Sequence, residues 1–479
     1  LINTFKLEEL SDNDEFTPTL NSSRKEGVLS PIEYINSPQF LLSLDKDCKE
    51  DIIKLLNSYL DIIATSSEDL TPSDLGPHHI QLVEGAKPVK SKFYKLNKFK
   101  SDTVKEEILK LWENGLIAPA KSSWSSPIVL ARKKNRKWRL CSDYRKVNDL
   151  TVPDVYSLPN IEEIFDSLAD AIIFSTLDLF SGYHQILMAE DSIDITGFTT
   201  KFGNFVYKVM PFGLTRAPAT FQRELNSILI ELLGKSVFVF LDDILIFSKS
   251  KEEHLTHLER VFSIFRKHKV KLNIGKCHFF KERVEVLGHM VTKDGLTTME
   301  SKVEAVKNCN RPSNINEVRS FFGTVGYYRK FIPNFSKLAA PLTILLRKNC
   351  SFFWGEEQQL AFDILKSALI NAPILRFPDY SKQFIIRTDA CAEGIGGVLL
   401  QKDEEDGVEY TIHYVSRTLS KAVRNYSTTD LEGTAVYYCA EKFKPYISGN
   451  MYETLLYTDH KPLVGLFKNK EPNNLRHIR

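Results

Sequence analysis

The sequence predicts a multidomain α+β chain that ends in a separate α/β unit. Three observations predict it. The 479 residues with 43% hydrophobic content suffice for more than one core, and two to four domains are expected. Residues 171–290 alternate apolar strand-like runs with one clear helix near 218–233. Residues 383–479 read strand, strand, strand, helix, strand, an α/β layout of its own that places a boundary near 350–382.

The elements follow in order. Residues 1–40 are polar and rich in Ser, Asn and acidic residues, and read as a partly disordered lead-in. Residues 41–65 carry helical apolar spacing, and Pro72, Gly76, Pro77, Gly85 and Pro88 then mark a loop-like stretch. A helix is expected over 102–115, stopping at Gly115. Residues 124–170 look like short strands around a basic turn, with a helix near 161–168. Residues 313–332 form a well-marked helix. Asn314 and Glu317 have capping-box spacing, and Val318, Phe321, Phe322 and Val325 recur on one face. Arg319, Tyr327, Arg329 and Lys330 occupy much of the rest.

The net charge of +2 hides local asymmetry. Residues 131–146 carry eight basic side chains against one acidic, and residues 301–350 carry nine against two. Two such blocks suggest polyanion contact at defined places, against the plainer reading of solvated charged faces. Residues 1–60 are acidic, six basic against eleven acidic. Seven scattered cysteines without metal-ligand spacing read as reduced thiols, and a cytoplasmic setting is expected. No apolar run is long enough to span a bilayer, so no membrane association is expected. The chain opens on Leu1 and is expected to be a piece of a longer polypeptide.

The most informative string is VFVFLDDILIF, residues 237–247. It reads as a buried hairpin with Asp242 and Asp243 at its tip. A plain polar turn is the competing reading, but two-residue hairpin turns favour glycine, and adjacent carboxylates repel. A divalent cation removes that repulsion. Mg²⁺ takes further oxygen ligands, for which Asp178, closing the strand-like run FSTLD, is the candidate. Taken alone, Asp178 also reads as a helix N-cap. In the C-terminal unit Asp389 and Asp459 end strand-like runs and Glu432 sits on a helix opened near 427–429. Each taken singly reads better as a surface or capping acid.

The strings SSPIVLARKK, WRLCSDYRKVN, FSTLDLFSGYHQI, MPFGLTRAPATFQ, FLDDILIFS, LGHMVTKDG, RSFFGTVGYYRKFI, TDACAEGIGGVLLQ, HYVSRTLS, NYSTTDLEG and YTDHKPL make the chain, from about residue 50 onward, similar to the reverse transcriptases of gypsy-type LTR retrotransposons. The resemblance implies a right-hand polymerase of fingers, palm and thumb followed by a ribonuclease H-like α/β domain. It divides the chain into a lead-in (1–90), fingers and palm (91–292), a thumb-like helical region (293–350) and a C-terminally incomplete ribonuclease H-like domain (351–479). It implies an RNA-directed DNA polymerase adding dNTPs to a DNA primer on an RNA template. Asp178, Asp242 and Asp243 would hold two Mg²⁺, with Mn²⁺ as a substitute. Lys133, Lys134, Arg139, Tyr183, Phe212 and Gln222 would contact the nucleotide. Phe240, Leu287, Gly288, Arg319, Arg329 and Lys330 would contact primer and template.

By the same resemblance Asp389, Glu432 and Asp459 form a second two-metal centre for cutting RNA in an RNA–DNA hybrid. Two departures stand out. Phe240 replaces the usual tyrosine, which removes a hydroxyl, and the family's fourth ribonuclease H carboxylate lies downstream of Arg479, so weak or absent hybrid cleavage is expected. Protease and integrase segments are expected elsewhere in the parent polyprotein, and virus-like particles are an alternative setting to free cytoplasm. Two other classes are opposed by the residues. A decayed element that only binds nucleic acid is opposed by the intact acids, Arg139 and Tyr183. An RNA polymerase is opposed by Tyr183 and the attached C-terminal unit.

Overall fold

The structure, a computed structural model, describes residues 29–132, 138–348, 350–404 and 407–468. At its centre lies a four-stranded antiparallel sheet in the order His278–Lys281, Ile173–Asp178, Asp243–Ser248, Val237–Phe240. Both faces are covered. Leu177, Val239, Ile244 and Ile246 join one core with Phe221 of helix Ala217–Ile228 and Phe262 of helix Lys251–Lys267. Phe174, Leu245 and Phe247 point the other way, into a second core. That is why these strands read as continuous apolar runs, without the alternation of a sheet with one wet face.

The N-terminal part corrects the expected lead-in through residue 90. From Pro31 onward the chain is built into the first core, through Ile35, Phe40, Ile52 and Leu56. The apolar stripe of helix Lys49–Ser58 finds a partner in this core, and Tyr59 Oη bonds Ser263 Oγ at 2.8 Å. A five-stranded sheet follows, in the order Ile117–Pro119, Gly203–Tyr207, Phe198–Thr200, Ser126–Arg132, Trp138–Ser142. The helix beside it runs Lys98–Glu113 and starts ahead of the expected 102, because Asn97 Oδ1 accepts from Lys100 N (2.9 Å) and caps it.

The second core joins the back of the central sheet to a three-stranded sheet (Arg283–Val286, His289–Thr292, Gly295–Thr298) and a set of helices. Helix Ile315–Tyr327 carries the expected face: Val318, Phe321 and Val325 are buried. Asn314 Oδ1 accepts from Glu317 N (3.0 Å), while the Glu317 carboxylate turns back to Ser313 N (2.7 Å). The helix ends at Tyr327, so Arg329 and Lys330 fall on a following 3₁₀ turn, not on its outer face. Phe362, Leu365 and Leu369 of helix Glu356–Ile370 share this core, as does Leu375. Within the expected boundary zone of 350–382, this helix thus buries its apolar stripe upstream, and the C-terminal core proper begins after Leu375.

The last unit is a four-stranded sheet in the order Glu409–Thr418, Gly394–Lys402, Phe384–Ala390, Leu455–Tyr457, its final pair parallel, with helix Thr428–Ile447 packed on it. Gly397 lies under that helix, where a Cβ would strike Cys439 Sγ and sit 2.9 Å from Arg387 O. Among the described residues no helix is long and apolar enough to cross a membrane.

A small polar chamber sits where the units meet. Asp166, Lys330, His413 and Tyr446 line it, with Tyr446 Oη donating to Asp166 Oδ1 at 3.5 Å. Burial raises the Asp166 carboxyl to about 7 and lowers His413 to about 3. Burial likewise lowers Lys330 to about 8.

Two predictions follow from these contacts. Gly397→Ala lowers the stability of the C-terminal unit by about 1–3 kcal/mol through overpacking, read as a lower calorimetric transition for that unit. Asp166→Asn tests the chamber. With a raised carboxyl, the folded state keeps its proton while the unfolded state releases it, so this group costs stability as pH rises from about 4 to about 7. His413 works oppositely, its contribution being lost as pH falls from 6.5 towards about 3. The difference between wild type and Asp166→Asn isolates the carboxyl. The variant is expected to gain about 1–2 kcal/mol at pH 8 relative to pH 4 in denaturant titrations.

Candidate active sites

The first centre is set by strand register. Asp178, the last residue of its strand, lies directly opposite Asp243, the first of its own. Phe240 pairs with Asp243, which leaves Leu241 and Asp242 as a two-residue turn. Leu241 takes a left-handed backbone (φ 53°), a conformation costly for a branched side chain. Gln222 holds it there. The Gln222 side chain is fully buried, its Nε2 donates to Val239 O (2.9 Å), and its Oε1 accepts from Leu241 N (2.6 Å). Gln222 was expected to touch the nucleotide; both ends of its amide instead brace the aspartate turn.

The walls around the turn crowd water away from Asp242, and this desolvation, then repulsion from Asp178 and Asp243, raises its carboxyl. Asp243 is raised by desolvation and by Asp178. Asp178 carries its own counter-charge: Lys276 Nζ lies 3.0 Å from Oδ2, and Asn273 Nδ2 donates to Oδ1 at 3.0 Å. Among the described residues no three His, Cys, Asp or Glu side chains converge closely enough to enclose an ion as they stand. The donor chemistry nonetheless suits a divalent cation: Asp178, Asp242 and Asp243 bring hard carboxylate oxygens to one end of the sheet, and Asp242 and Asp243 are both held above the usual carboxylate range by desolvation and by the charge of Asp178.

Facing the acids is a stack. The Arg139 guanidinium sits 4.7 Å from the centre of the Phe212 ring. Phe212 stacks on Tyr183 at 5.1 Å and 22°, and Tyr183 rests on Phe221 at 5.1 Å. Burial and then Asp242 push the Tyr183 hydroxyl up to about 12, and the Arg139 charge acts on Asp242. Arg139, Phe212, Tyr183 and the aspartates thus come together as expected from distant parts of the chain. Phe240, half-buried, forms the strand end beside them. Lys133 and Lys134 lie outside the described residues.

Leu287 and Gly288 form the turn between two strands, both with positive φ (46° and 73°). Their carbonyls are engaged by tyrosines at the end of the long helix: Tyr327 Oη donates to Leu287 O (2.5 Å) and Tyr328 Oη to Gly288 O (2.6 Å). Arg319 stays on the exposed side, bonded to Asn316 Oδ1 at 3.3 Å. Two expected primer–template contacts are corrected. Arg329 donates to Ser416 O of the C-terminal sheet (2.7 Å), and Lys330 lies over the Phe165 ring at 4.8 Å in the junction chamber. The helix ends too early to carry them to the outer face.

The second centre gathers Asp389, Glu432 and Asp459. Parallel pairing of Arg387 with Tyr457 carries both strands toward their acids in register. Glu432 is buried, its Oε2 has no partner, and desolvation followed by Asp459 and Asp389 raises it to about 7. A buried carboxylate oxygen without a donor, beside two further acids, fits a cation site. Two contacts were missed from sequence. Asn334, in left-handed backbone, donates to Asp389 Oδ2 at 3.4 Å, and Thr429 Oγ1 meets His460 Nε2 at 2.9 Å. Neither carries a local sequence signal, because each joins elements far apart in the chain.

The fold and its two carboxylate centres define a polymerase-like body joined to a ribonuclease H-like unit. Residues 131–291 match the family "Reverse transcriptase (RNA-dependent DNA polymerase)", and residues 354–454 match the "RNase H-like domain found in reverse transcriptase". The retrovirus-related Pol polyprotein from transposon 297 of Drosophila melanogaster is 38% identical over 90% of this chain and 40% of its own length. That from transposon gypsy of the same organism is 33% identical over 95% of this chain and 45% of its own length. The chain thus spans less than half the length of these relatives. It is a reverse transcriptase–ribonuclease H region of the kind found in the Pol polyproteins of gypsy-type retrotransposons. The foamy viral protease–reverse transcriptase dRH, solved in complex with double-stranded DNA, shares the fold with TM-score 0.84 at 22% identity, over 96% of this chain and 81% of that one. The foamy viral protease–reverse transcriptase solved with an RNA/DNA hybrid superposes with TM-score 0.76 at 23% identity, over 94% and 60%. Domains of both families depend on divalent metal.

Gln222→Ala leaves Leu241 N and Val239 O unpartnered in a buried setting. A loss of about 1–3 kcal/mol is expected. Hydrogen exchange checks it: amides of 237–248 should exchange faster in the variant, and unchanged protection there would rule out the bracing role.

Proposed function

We propose that the chain is an RNA-directed DNA polymerase that extends a DNA primer on an RNA template, with an attached ribonuclease H-like centre for RNA–DNA hybrids. The observation that supports it most is the register that sets Asp178 opposite Asp243, with Asp242 on the turn between strands and the Arg139–Phe212–Tyr183 stack facing them.

Asp178 and Asp242 are the residues to hold two Mg²⁺ (Mn²⁺ substituting), with Asp243 in a weaker role. When bound, the ions make the primer 3′-OH a better nucleophile and offset charge on the transferring phosphate. The chain's own residues do the rest. Arg139 offers a planar fork of donors to the triphosphate, held flat by Phe212. The Tyr183 ring, fixed between Phe212 and Phe221, occupies the space a ribose 2′-hydroxyl would need and so favours dNTPs. Gln222 keeps the turn that carries Asp242 in its left-handed form. The hairpin at Leu287 and Gly288, with Arg319, is left for the primer–template backbone. In the second centre Asp389, Glu432 and Asp459 take the corresponding cations. The other Pol segments, protease and integrase, would act beside this region in the cytoplasm or in virus-like particles.

Primer extension on poly(rA)–oligo(dT) with Mg²⁺ tests this reading. Wild type should extend, and Asp242→Asn or Asp178→Asn should slow extension about a thousandfold, as losing several kcal/mol of metal-borne stabilisation requires. Binding without extension by wild type would mean the chain only holds nucleic acid. Tyr183→Ala should admit rNTPs at the expense of dNTP preference; an unchanged ratio would remove that role. Cleavage of RNA in an RNA–DNA hybrid is expected to vanish in Asp389→Asn.

A further inference from the structure

Strands Ile173–Asp178 and Asp243–Ser248 come from distant parts of the chain, and no hairpin turn joins them to set their register. Burial guards against a one-residue slip, which would swap the two faces of a strand. A two-residue slip keeps every side chain on its own face, so burial opposes it less strongly. It would nonetheless part Asp178 from Asp243 by about 7 Å, two residues of strand rise. A contact more specific than apolar cover has to choose between these registers.

That contact is buried and polar. Ser175 pairs across with Ile246, and Ser248 with Ile173. Both serines therefore share the face of Leu177, Ile244 and Ile246, under helix Lys251–Lys267. His254 of that helix sits between them. Its Nε2 lies 2.7 Å from Ser175 Oγ and its Nδ1 2.8 Å from Ser248 Oγ. His254 and Ser175 are fully buried and Ser248 nearly so. Ser175 Oγ also accepts from Phe280 N (3.1 Å), at a left-handed residue (φ 50°) where strand His278–Lys281 breaks its ladder. Ser248 Oγ reaches His257 Nδ1 at 2.8 Å. Burial, then His257, lowers His254 to about 3, so its ring is neutral and carries one N–H. One direction of protons leaves no hydroxyl hydrogen idle: Ser175 donates to Nε2, Nδ1–H donates to Ser248, and Ser248 donates to His257.

The histidine moves with one strand and reads the position of the other. Ser250 Oγ accepts from Glu253 N (3.2 Å), and Glu253 Oε2 accepts from Lys249 N (3.0 Å), which ties the start of the helix to the end of strand Asp243–Ser248. After a two-residue slip Ile173 or Leu177 would stand where Ser175 does now. His254 Nε2 would then be buried against an aliphatic side chain, and an orphaned buried polar atom is costly.

We propose that His254 is a positioning residue for the polymerase reaction: clasped between Ser175 and Ser248, it selects the strand register that sets Asp178 opposite Asp243. The catalytic consequence rests on the proposed polymerase function; the choice of register does not.

The test uses the whole chain. His254→Phe keeps a ring and loses both nitrogens, while Ser175→Ala and Ser248→Ala each remove one end of the clasp. Extension on poly(rA)–oligo(dT) with Mg²⁺ gives kcat and KM for dTTP, denaturant titration gives the folded fraction, and hydrogen exchange follows the amides of 173–178 and 243–248. In each variant kcat per folded chain should fall about tenfold or more, as misplaced acids require. KM for dTTP should stay within about twofold, because the Arg139–Phe212–Tyr183 stack is untouched. Exchange in both strands should quicken. Adding Ser175→Ala to His254→Phe should lower kcat by no more than about a further twofold, because both break the same clasp. Ser248→Thr retains the hydroxyl and should keep kcat.

A histidine that only supports the core would lower the folded fraction and leave kcat per folded chain unchanged. That result, unaltered exchange, or independent multiplicative losses in the double variant would each overturn the role. Should His254→Phe fail to fold, Ser175→Ala and Ser248→Ala decide by the same readouts. Failure of wild type to extend the primer would count against polymerase activity, while exchange in the two strands would still decide whether His254 holds the register.

Discussion

Three carboxylates are held near one another by hydrogen-bonded strand register and not by any attraction between them. Asp178 faces Asp243 because two long apolar strands pair without a slip, and Asp242 is carried on the turn that closes the hairpin. Like charges in a partly desolvated place oppose folding. What opposes them is the cover on both faces of the sheet: the first core under Ile244 and Ile246, the second under Leu245 and Phe247. A one-residue slip would exchange these two sets and remove Asp243 from Asp178. The depth of burial is thus the source of the geometry of the acids.

The same logic extends to the second centre, though there the clamp is between units. Asn334, at the start of helix Phe335–Leu338, sets its amide on Asp389, Ser336 N bonds Ser416 Oγ at 3.0 Å, and Arg329 donates to Ser416 O. The glycines of strand Gly394–Lys402 make the approach possible, since a Cβ at Gly396 would lie 2.6 Å from Asn334 Oδ1. The basic residues that looked suited to nucleic acid are therefore partly spent on docking the two units. Arg329 and Lys330 do structural work at the junction, which leaves the exposed Arg319 and the tyrosine-braced hairpin for the outer surface.

What could be read in the sequence divides along physical lines. The aspartate hairpin and the thumb-like helix were legible because each is local: an apolar run, a cap, a period of 3.6; Asp178, Asp389, Glu432 and Asp459 came from the family resemblance. The meeting of Arg139, Phe212 and Tyr183 came from family resemblance, not from any pattern in the residues. Gln222 was misassigned because a buried amide and a ligand-facing amide look alike in a string; only the left-handed Leu241 explains why one is needed. Lys330 was misplaced because the helix was expected to run on to 332 and ends at Tyr327, so the chain has left the helical path before it reaches Lys330. Within the expected boundary zone of 350–382, helix Glu356–Ile370 buries its stripe against upstream helices, a tertiary choice that periodicity does not reveal.

Lys276 links these strands. Its ammonium meets Asp178, and it closes the 3₁₀ turn Ile274–Lys276 that follows the segment Leu272–Asn273, which supplies Asn273 to the same carboxylate. An ammonium at 3.0 Å neutralises one acid of the three and leaves the repulsion between Asp242 and Asp243 in place. It is exposed and flexible, so its pairing with Asp178 is weak compared with what a divalent ion would gain from the same oxygens. Lys276 therefore reads as a placeholder charge: its ammonium sits on the Asp178 carboxylate where a divalent ion would take the same oxygens.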